Sequence, residues 1–303
     1  METNNSEKSI KQRQTAPNIV GNFVPMSEQI SNVVFYIPFL YIYVVRLGTI
    51  SKIISIYIIY VIPTFYFLSL HIGVGREQLV LYLLSFWLIY GLYELGYIQN
   101  DTETIKKENF PAIRLYQHNF DHYEHYKLVI YLTRILWCIL LSVSILFING
   151  FAMYTYLFLI SAWCIALVYQ AYNKVRSRWN LLCLFLLICL RYFSYIFIFL
   201  DFIKISHVLA LFFSYPILKF IEMGAKKRYN IIFLQKIYPN KETIPIIRVK
   251  YGFISSLLSI FLLWIGFFNI FDMFFFLYFF LYRFSIYLIS TRLHIYFRNY
   301  IND

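Results

Sequence analysis

The chain alternates long apolar runs with polar connections, and each run is about as long as a lipid bilayer is thick. A spanning helix needs about 20 apolar residues. Eight runs approach or exceed that length, and they occupy residues 51–73, 78–98, 127–148, 151–171, 180–200, 203–222, 251–270 and 272–296. Only 14% of the residues are charged, whereas soluble domains average about a quarter. The pattern excludes a soluble globular enzyme and predicts an all-α, polytopic transmembrane helical bundle with eight spanning helices.

A shorter apolar run precedes these eight. Residues Val33 to Val45 number only 13 and include Pro38, so they fall short of a crossing. We expect an interfacial or re-entrant helix there, or a ninth spanning helix. Residues 1–31 are polar, with no apolar signal-peptide core, and are expected to form a cytoplasmic tail. The transmembrane domain is then 32–303, with cytoplasmic loops at 99–126, 172–179 and 223–250.

The net charge of +12 is distributed unevenly across the predicted membrane. Sixteen basic residues lie on the side of the long loops: Arg46, Lys52, Lys106, Lys107, Arg114, Lys127, Lys174, Arg176, Arg178, Lys226, Lys227, Arg228, Lys236, Lys241, Arg248 and Lys250. Only Arg76 and Lys204 lie on the other side. Basic residues favour the cytoplasmic side of a membrane. We therefore predict a bacterial inner (plasma) membrane protein with its long loops and both termini in the cytoplasm, and no nucleic-acid partner.

The first long loop opens with a cluster of acidic residues. Asp101, Glu103 and Glu108 fall within eight positions at the end of an apolar run. Carboxylate oxygens are ligands that Mg²⁺ prefers, and a diphosphate can complete its shell. If the helix continues, Asp101 and Glu108 share one face. Alternatively, these acids only solvate a helix end beside Lys106 and Lys107.

Six ionisable residues lie inside the apolar runs, where charge is costly and often functional. They are Glu94, Arg134, Arg191, Lys219, Glu222 and Arg283. Several of them are expected to line a polar cavity, although Glu94 could instead pair locally or extend toward the interface.

Two further features of the predicted cytoplasmic face bear on function. The connections around Lys174 and around Lys227–Arg228 are densely basic. Such residues can fix the orientation of the chain in the membrane, contact anionic lipid headgroups or bind phosphate. His118, His122 and His125 have the spacing of one helix face. This spacing is compatible with metal ligation, as in the histidine boxes of diiron membrane desaturases. The remaining histidines are isolated in sequence, so a diiron centre would be short of ligands.

The first loop resembles the first motif of the UbiA superfamily of intramembrane prenyltransferases, N-D-x-x-D-x-x-x-D followed by P-x-x-R. Asn100, Asp101, Glu108, Pro111 and Arg114 match it in type. The interval from Glu108 to Pro111 is one residue short. Thr104 replaces the middle aspartate, with Glu103 beside it.

Within that superfamily, the branch that attaches phosphoribose to a polyprenyl phosphate is the most similar. Arg46 and Lys52 keep the spacing of its R-P-x-x-W-x-K-N element, and Leu190–Arg191 is similar to the end of another segment. Lys227-Arg228-Tyr229 resembles its K-R-Y element, without the glutamate that normally follows. The resemblance covers roughly residues 46–230.

The resemblance implies a Mg²⁺-dependent transferase in which Asp101 and Glu108 are catalytic and hold the metal with Glu103. It implies that phosphate groups are bound by Asn100, Arg46, Lys52, Arg114, Lys174, Arg191, Lys227, Arg228 and Tyr229. The expected partners are membrane lipid, polyprenyl phosphate or diphosphate, and a small phosphorylated substrate.

Four functions remain open on the sequence. Phosphoribosyl transfer from phosphoribosyl diphosphate to polyprenyl phosphate is favoured, because the second acidic cluster of true prenyltransferases is reduced to Glu222. The others are prenyl transfer from a polyprenyl diphosphate to an aromatic or other acceptor, a polyprenyl-phosphate-linked glycosyltransferase using Asp101 and Glu103 as a D-x-E pair, and a non-catalytic transporter or assembly component.

Overall fold

The protein is an all-α membrane helical bundle. The computed structural model describes residues 22–23, 30–66, 75–108, 111–175, 177–198, 204–239 and 243–292. Within these ranges, seven helices are long and apolar enough to cross a bilayer. The first predicted crossing, 51–73, coincides with a shorter apolar helix over Ile50–Tyr66, and residues 67–74 lie outside the described part. The chain divides into two compact units, Met1–Lys174 (unit 1) and Val175–Asp303 (unit 2).

The described part of unit 1 consists of helices and a minimal parallel strand pair. The helices are α1 (Ile50–Ile56, continued by a wider π-helical turn, Tyr57–Val61), α2 (Arg76–Gln99), α3 (Gln117–Asn149) and α4 (Met153–Lys174). Strands β1 (Asn22–Phe23) and β2 (Ala112–Ile113) pair in parallel. Helix α2 packs against both α3 and α4 and is the most deeply buried of the seven long helices.

The segment around 33–45 is folded into unit 1 and is not one straight helix. It forms a 3-10 turn at Asn32–Phe35 and a π-helical turn at Ile42–Leu47. Between them, Phe39 has φ +72°, a backbone conformation that is rare for a bulky side chain. Val34, Phe35 and Val45 are buried in the core of unit 1.

The first long loop is shorter than predicted, because α3 begins at Gln117 and not near 127. At this helix start the Asn119 side chain accepts a hydrogen bond from the Tyr116 backbone N–H at 3.2 Å, a capping contact that starts the helix early. The non-helical backbone at Tyr126 (φ −113°, ψ 17°) marks a kink where the predicted membrane span would begin.

Unit 2 contains α5 (Trp179–Ile198), α6 (Ile205–Ser214), α7 (Pro216–Gly224), a 3-10 turn (Lys227–Tyr229), α8 (Ile232–Ile237), α9 (Thr243–Trp264) and α10 (Ile270–Arg292). The predicted crossing at 203–222 is thus broken between α6 and α7 at Tyr215 (φ −139°, ψ −54°). The break has a local cause, since Pro216 disfavours a helical residue before it and cannot donate a backbone hydrogen bond. Helix α10 packs against α9 and α6, and α7 packs against α5 and α6.

Candidate functional site

The loop end of α2 carries a buried carboxylate that two arginines share. At Asn100 the α-helix widens into a π-helical turn, Asn100–Thr104, and the Asp101 side chain is buried there. Its carboxylate accepts a hydrogen bond from Arg46 Nη2 at 2.7 Å and from Arg114 Nη1 at 3.1 Å. The Tyr41 hydroxyl donates a third, at 3.1 Å. Three separate chain segments thus meet at Asp101.

The contacts of this cluster compensate the burial of the Asp101 carboxylate. A buried carboxylate needs both a counter-charge and hydrogen bonds, and Asp101 has them in Arg46 and Arg114. Burial raises the pKa of the Tyr41 hydroxyl well above its usual value, and the neighbouring Asp101 carboxylate raises it further. Tyr41 therefore stays protonated and donates its hydrogen. Two guanidinium groups and one carboxylate leave a net charge of +1.

Both arginines keep donors that Asp101 does not use. The side chains of Arg46 and Arg114 are 17% and 23% exposed, and a guanidinium has five N–H donors. The Arg46 guanidinium stacks over the Tyr97 ring at 4.3 Å. Its Nε is buried with no hydrogen-bond partner among the described residues. The cluster therefore has the positive charge and spare donors that an anion requires.

Glu103 belongs to a different network, on the side of α3. It accepts hydrogen bonds from Lys127 Nζ at 2.6 Å and from the Tyr123 hydroxyl at 3.1 Å, and Lys106 lies 3.8 Å away. The helix does not continue to Glu108, because a 3-10 turn at Ile105–Lys107 ends in extended backbone at Glu108. Asp101 and Glu108 therefore do not share a helix face.

The three predicted metal ligands are thus not brought together as one acidic face. In the described ranges, no group of three His, Cys, Asp or Glu side chains is placed to hold a metal ion. Cations already neutralise Asp101 and Glu103, so these carboxylates do not fit a preformed magnesium site. Mg²⁺ stays a prediction from the resemblance.

The remaining predicted phosphate-binding residues differ in burial. In unit 1, Asn100 is half-buried, while Lys52 and Lys174 are exposed. In unit 2, Arg191 on α5 is buried, whereas Lys227 and Arg228 are exposed.

Tyr229 is buried and fixes the Lys227–Tyr229 turn to the start of α5. Its hydroxyl donates to Asn180 Oδ1 at 3.0 Å and accepts from Arg228 Nη2 at 2.7 Å. These contacts maintain the shape of the turn, whose role in binding phosphate stays a prediction from the resemblance.

The buried charges Glu94 and Arg134 pair with each other across α2 and α3. Arg134 Nη1 lies 2.5 Å from Glu94 Oε2, and both side chains are fully buried. Glu94 also accepts from the backbone N–H groups of Phe39 at 2.6 Å and Ile42 at 2.7 Å. The carboxylate therefore holds the turn whose positive φ lies at Phe39.

Arg134 completes this anchoring from the other side. Its Nε donates to the Phe35 carbonyl at 2.7 Å and its Nη2 to the Val34 carbonyl at 2.6 Å. The pair thus binds the backbone at both ends of the turn that contains Tyr41 and precedes Arg46. Local pairing, one of the sequence alternatives for Glu94, is what the structure shows.

The histidine row on α3 also contacts this N-terminal segment. His118 Nε2 lies 3.0 Å from the Ile30 carbonyl, and His122 Nε2 shares a hydrogen bond with the Tyr36 hydroxyl at 2.9 Å. Asn119 Nδ2 donates to the same Ile30 carbonyl at 2.8 Å. In the described structure these side chains hold the chain preceding the Asp101 cluster.

Tyr41 and Tyr97 are the residues of this cluster that sequence reasoning missed. They lie among 29 tyrosines, so residue type gave no signal. The spacing gave a weak signal for one of them, since Tyr97 precedes Asp101 by one helical turn.

Comparison with known proteins gives no family for this chain. No protein-family model, no curated protein and no solved structure matches it.

Proposed function

We propose that the protein is an integral membrane transferase of UbiA type that moves a group from a diphosphate donor to a lipid-embedded acceptor. The favoured reaction is phosphoribosyl transfer from phosphoribosyl diphosphate to polyprenyl phosphate. The observation that carries the proposal is the Asp101 cluster, in which Arg46 and Arg114 are held side by side at the loop end of α2.

The proposed role of the cluster is to bind the diphosphate of the donor. Arginine is suited to this because its planar fork binds two oxygens at once and is always charged. Asp101 is a positioning residue, since it fixes both guanidiniums before the ligand arrives. The buried Nε of Arg46, which has no partner among the described residues, offers a further donor.

The chemistry follows from this charge. An oxygen of the acceptor phosphate forms a bond to C1 of the ribose while the bond from C1 to the diphosphate oxygen breaks. The electron pair leaves with pyrophosphate, and Arg46 and Arg114 stabilise the negative charge that develops on it. Magnesium would enter with the diphosphate and supply additional positive charge.

The test is transfer by the purified full-length protein in lipid nanodiscs. The protein is given phosphoribosyl diphosphate labelled in the ribose, polyprenyl phosphate and Mg²⁺, and label is counted in the extracted lipid. We expect labelled lipid, with kcat/KM reduced about 100-fold in Arg46→Gln and in Arg114→Gln, which is typical for removing one donor to a developing charge. Arg76→Gln, at an exposed site at the opposite end of α2, is the matched control and should not change the rate.

The same assay separates the alternatives. Labelled prenyl diphosphate with an aromatic acceptor replaces the phosphoribosyl donor in a second arm, and product only in that arm would mean prenyl transfer. Full activity in both arginine variants would refute the role given to the Asp101 cluster.

A non-catalytic membrane component is the second candidate, and the neutralisation of Asp101 and Glu103 by cations favours it. This second candidate predicts that the folded protein transfers neither the labelled phosphoribosyl group nor the labelled prenyl group. It also predicts that Asp101→Asn together with Glu108→Gln leaves the protein's cellular function intact.

A further inference from the structure

Unit 2 contains a second cluster of charges, formed by side chains that are distant in sequence. Glu222 near the end of α7 accepts two hydrogen bonds from Arg248 on α9, from Nε at 2.5 Å and Nη2 at 2.9 Å. Lys219 Nζ lies 3.3 Å from the same carboxylate. Arg283 on α10 interacts electrostatically with both Glu222 and Arg248. These four side chains, three cations and one carboxylate, carry a formal charge of +2.

Arg283 is the most buried cation of the cluster. It is 6% exposed, and Nη2 donates to the Ser214 carbonyl at 2.9 Å. Its guanidinium faces the rings of Phe279 at 5.6 Å and Tyr251 at 5.8 Å. Its direct contacts are thus a carbonyl and aromatic rings, which neutralise a cation less completely than a carboxylate in contact does.

A buried hydroxyl lies within electrostatic range of the cluster. Tyr238, just after α8, is buried, and its hydroxyl has no hydrogen-bond partner among the described residues. It interacts electrostatically with Glu222, Arg248 and Arg283. Burial raises the pKa of Tyr238, as does the Glu222 carboxylate, so the hydroxyl is protonated. A buried donor of this kind is costly unless a partner accepts from it.

The cluster is accessible from outside the protein. The side chains of Lys219 and Arg248 are 18% and 29% exposed, while that of Glu222 is 8% exposed. The two cations are therefore more exposed than the carboxylate that they contact.

We propose that this cluster is a second anion site, which takes a phosphate group between Lys219, Arg248 and the Tyr238 hydroxyl. Arginine, lysine and a hydroxyl are the donors that phosphate oxygens use. The group comes either from a soluble phosphorylated molecule or from the headgroup of an anionic lipid. The proposal concerns unit 2 alone and does not rest on the transferase activity.

The experiment measures binding of inorganic pyrophosphate by calorimetry to the full chain in nanodiscs of neutral phosphatidylcholine. The background carries Arg46→Gln, Arg114→Gln and Asp101→Asn, so that unit 1 contributes no binding. If that background fails to fold, the unmodified chain is used and the loss of one of its two binding events is followed.

Tyr238→Phe removes only the hydroxyl and should weaken pyrophosphate binding about tenfold, the effect of one hydrogen bond to a charged group. Its thermal stability should not fall, since the hydroxyl has no partner in the described structure. Glu222→Gln raises the formal charge of the four side chains to +3 and should tighten binding roughly tenfold. A merely structural cluster would not show that gain. Lys236→Gln, an exposed charge in α8, is the control and should bind as its parent does.

A second arm identifies the source of the phosphate. The unfolding temperature is compared in phosphatidylcholine nanodiscs and in nanodiscs containing phosphatidylglycerol. Stabilisation by phosphatidylglycerol that Tyr238→Phe removes, without pyrophosphate binding, assigns the site to a lipid headgroup. The proposal is overturned if neither pyrophosphate binding nor lipid stabilisation depends on Tyr238 and Glu222.

Discussion

At the scale of single residues, this protein shows how a buried charge differs from an exposed one. Glu94 and Arg134 have no exposed surface, and the structure gives each of them three hydrogen bonds. Glu124 and Lys106 also form an ion pair, but their side chains are 53% and 39% exposed. The first pair is enclosed by protein, whereas the second is partly exposed to solvent.

Glu94→Gln should destabilise the protein by about 3–5 kcal/mol, because it leaves Arg134 buried without a counter-charge. The free energy of unfolding in mixed micelles measures this change. The double variant Glu94→Gln, Arg134→Gln should recover part of the loss, since it removes both charges together.

Glu124→Gln is the matched control, and at an exposed pair it should cost less than about 1 kcal/mol. Equal effects of Glu94→Gln and Glu124→Gln would contradict the anchoring role given to the buried pair.

At the scale of elements, α2 and α4 approach closely at one glycine. A Cβ built on Gly96 would lie 2.0 Å from Cγ of Tyr169, much closer than atoms can approach. The Gly96 carbonyl also accepts a hydrogen bond from Asn173 Nδ2 at 3.0 Å. Gly91, on the same helix, is less crowded, because its Cβ would lie 3.3 Å from Cys138 Sγ.

Gly96→Ala should therefore separate α4 from α2 and cost about 1–3 kcal/mol, the usual effect of an oversized group in a packed interior. Thermal unfolding in detergent micelles measures it. Gly91→Ala is the control and should be near neutral or stabilising, since alanine is favoured over glycine inside a helix by about 1 kcal/mol. The reverse order of stability would contradict the close approach at Tyr169.

At the scale of the whole molecule, the basic residues predict orientation. Single cysteines can be placed at Arg76 and at Lys107, which are exposed at opposite ends of the long helical stretch 76–107. In a cysteine-free background in bacterial spheroplasts, an impermeant maleimide should label Arg76→Cys at once and Lys107→Cys only after permeabilisation.

Immediate labelling of Lys107→Cys would place the first loop outside the cell. That result would favour a glycosyltransferase with an external acidic loop over the proposed transferase.

Local features of the fold can be predicted from the sequence, whereas contacts between residues that are distant in the chain cannot. Apolar length indicated the long helices, and Pro216 could have indicated the break at Tyr215. The sequence does not predict the early start of α3, because Tyr116 and Asn119 lie in a polar stretch that is typical of a loop. The pairing of Arg46 with Asp101, 55 residues apart, has no local signature.

The sequence by itself determined that this is a helical membrane protein, because hydrocarbon accepts only long apolar segments whose backbone is internally hydrogen-bonded. It also located the acidic segment and the basic residues in the chain. The tertiary structure decided what those charges contact: Asp101 is shared by two arginines, Glu103 faces α3, and Glu94 anchors a turn. The physical reason is that an ion pair depends on distance in space, and packing between segments distant in sequence determines that distance.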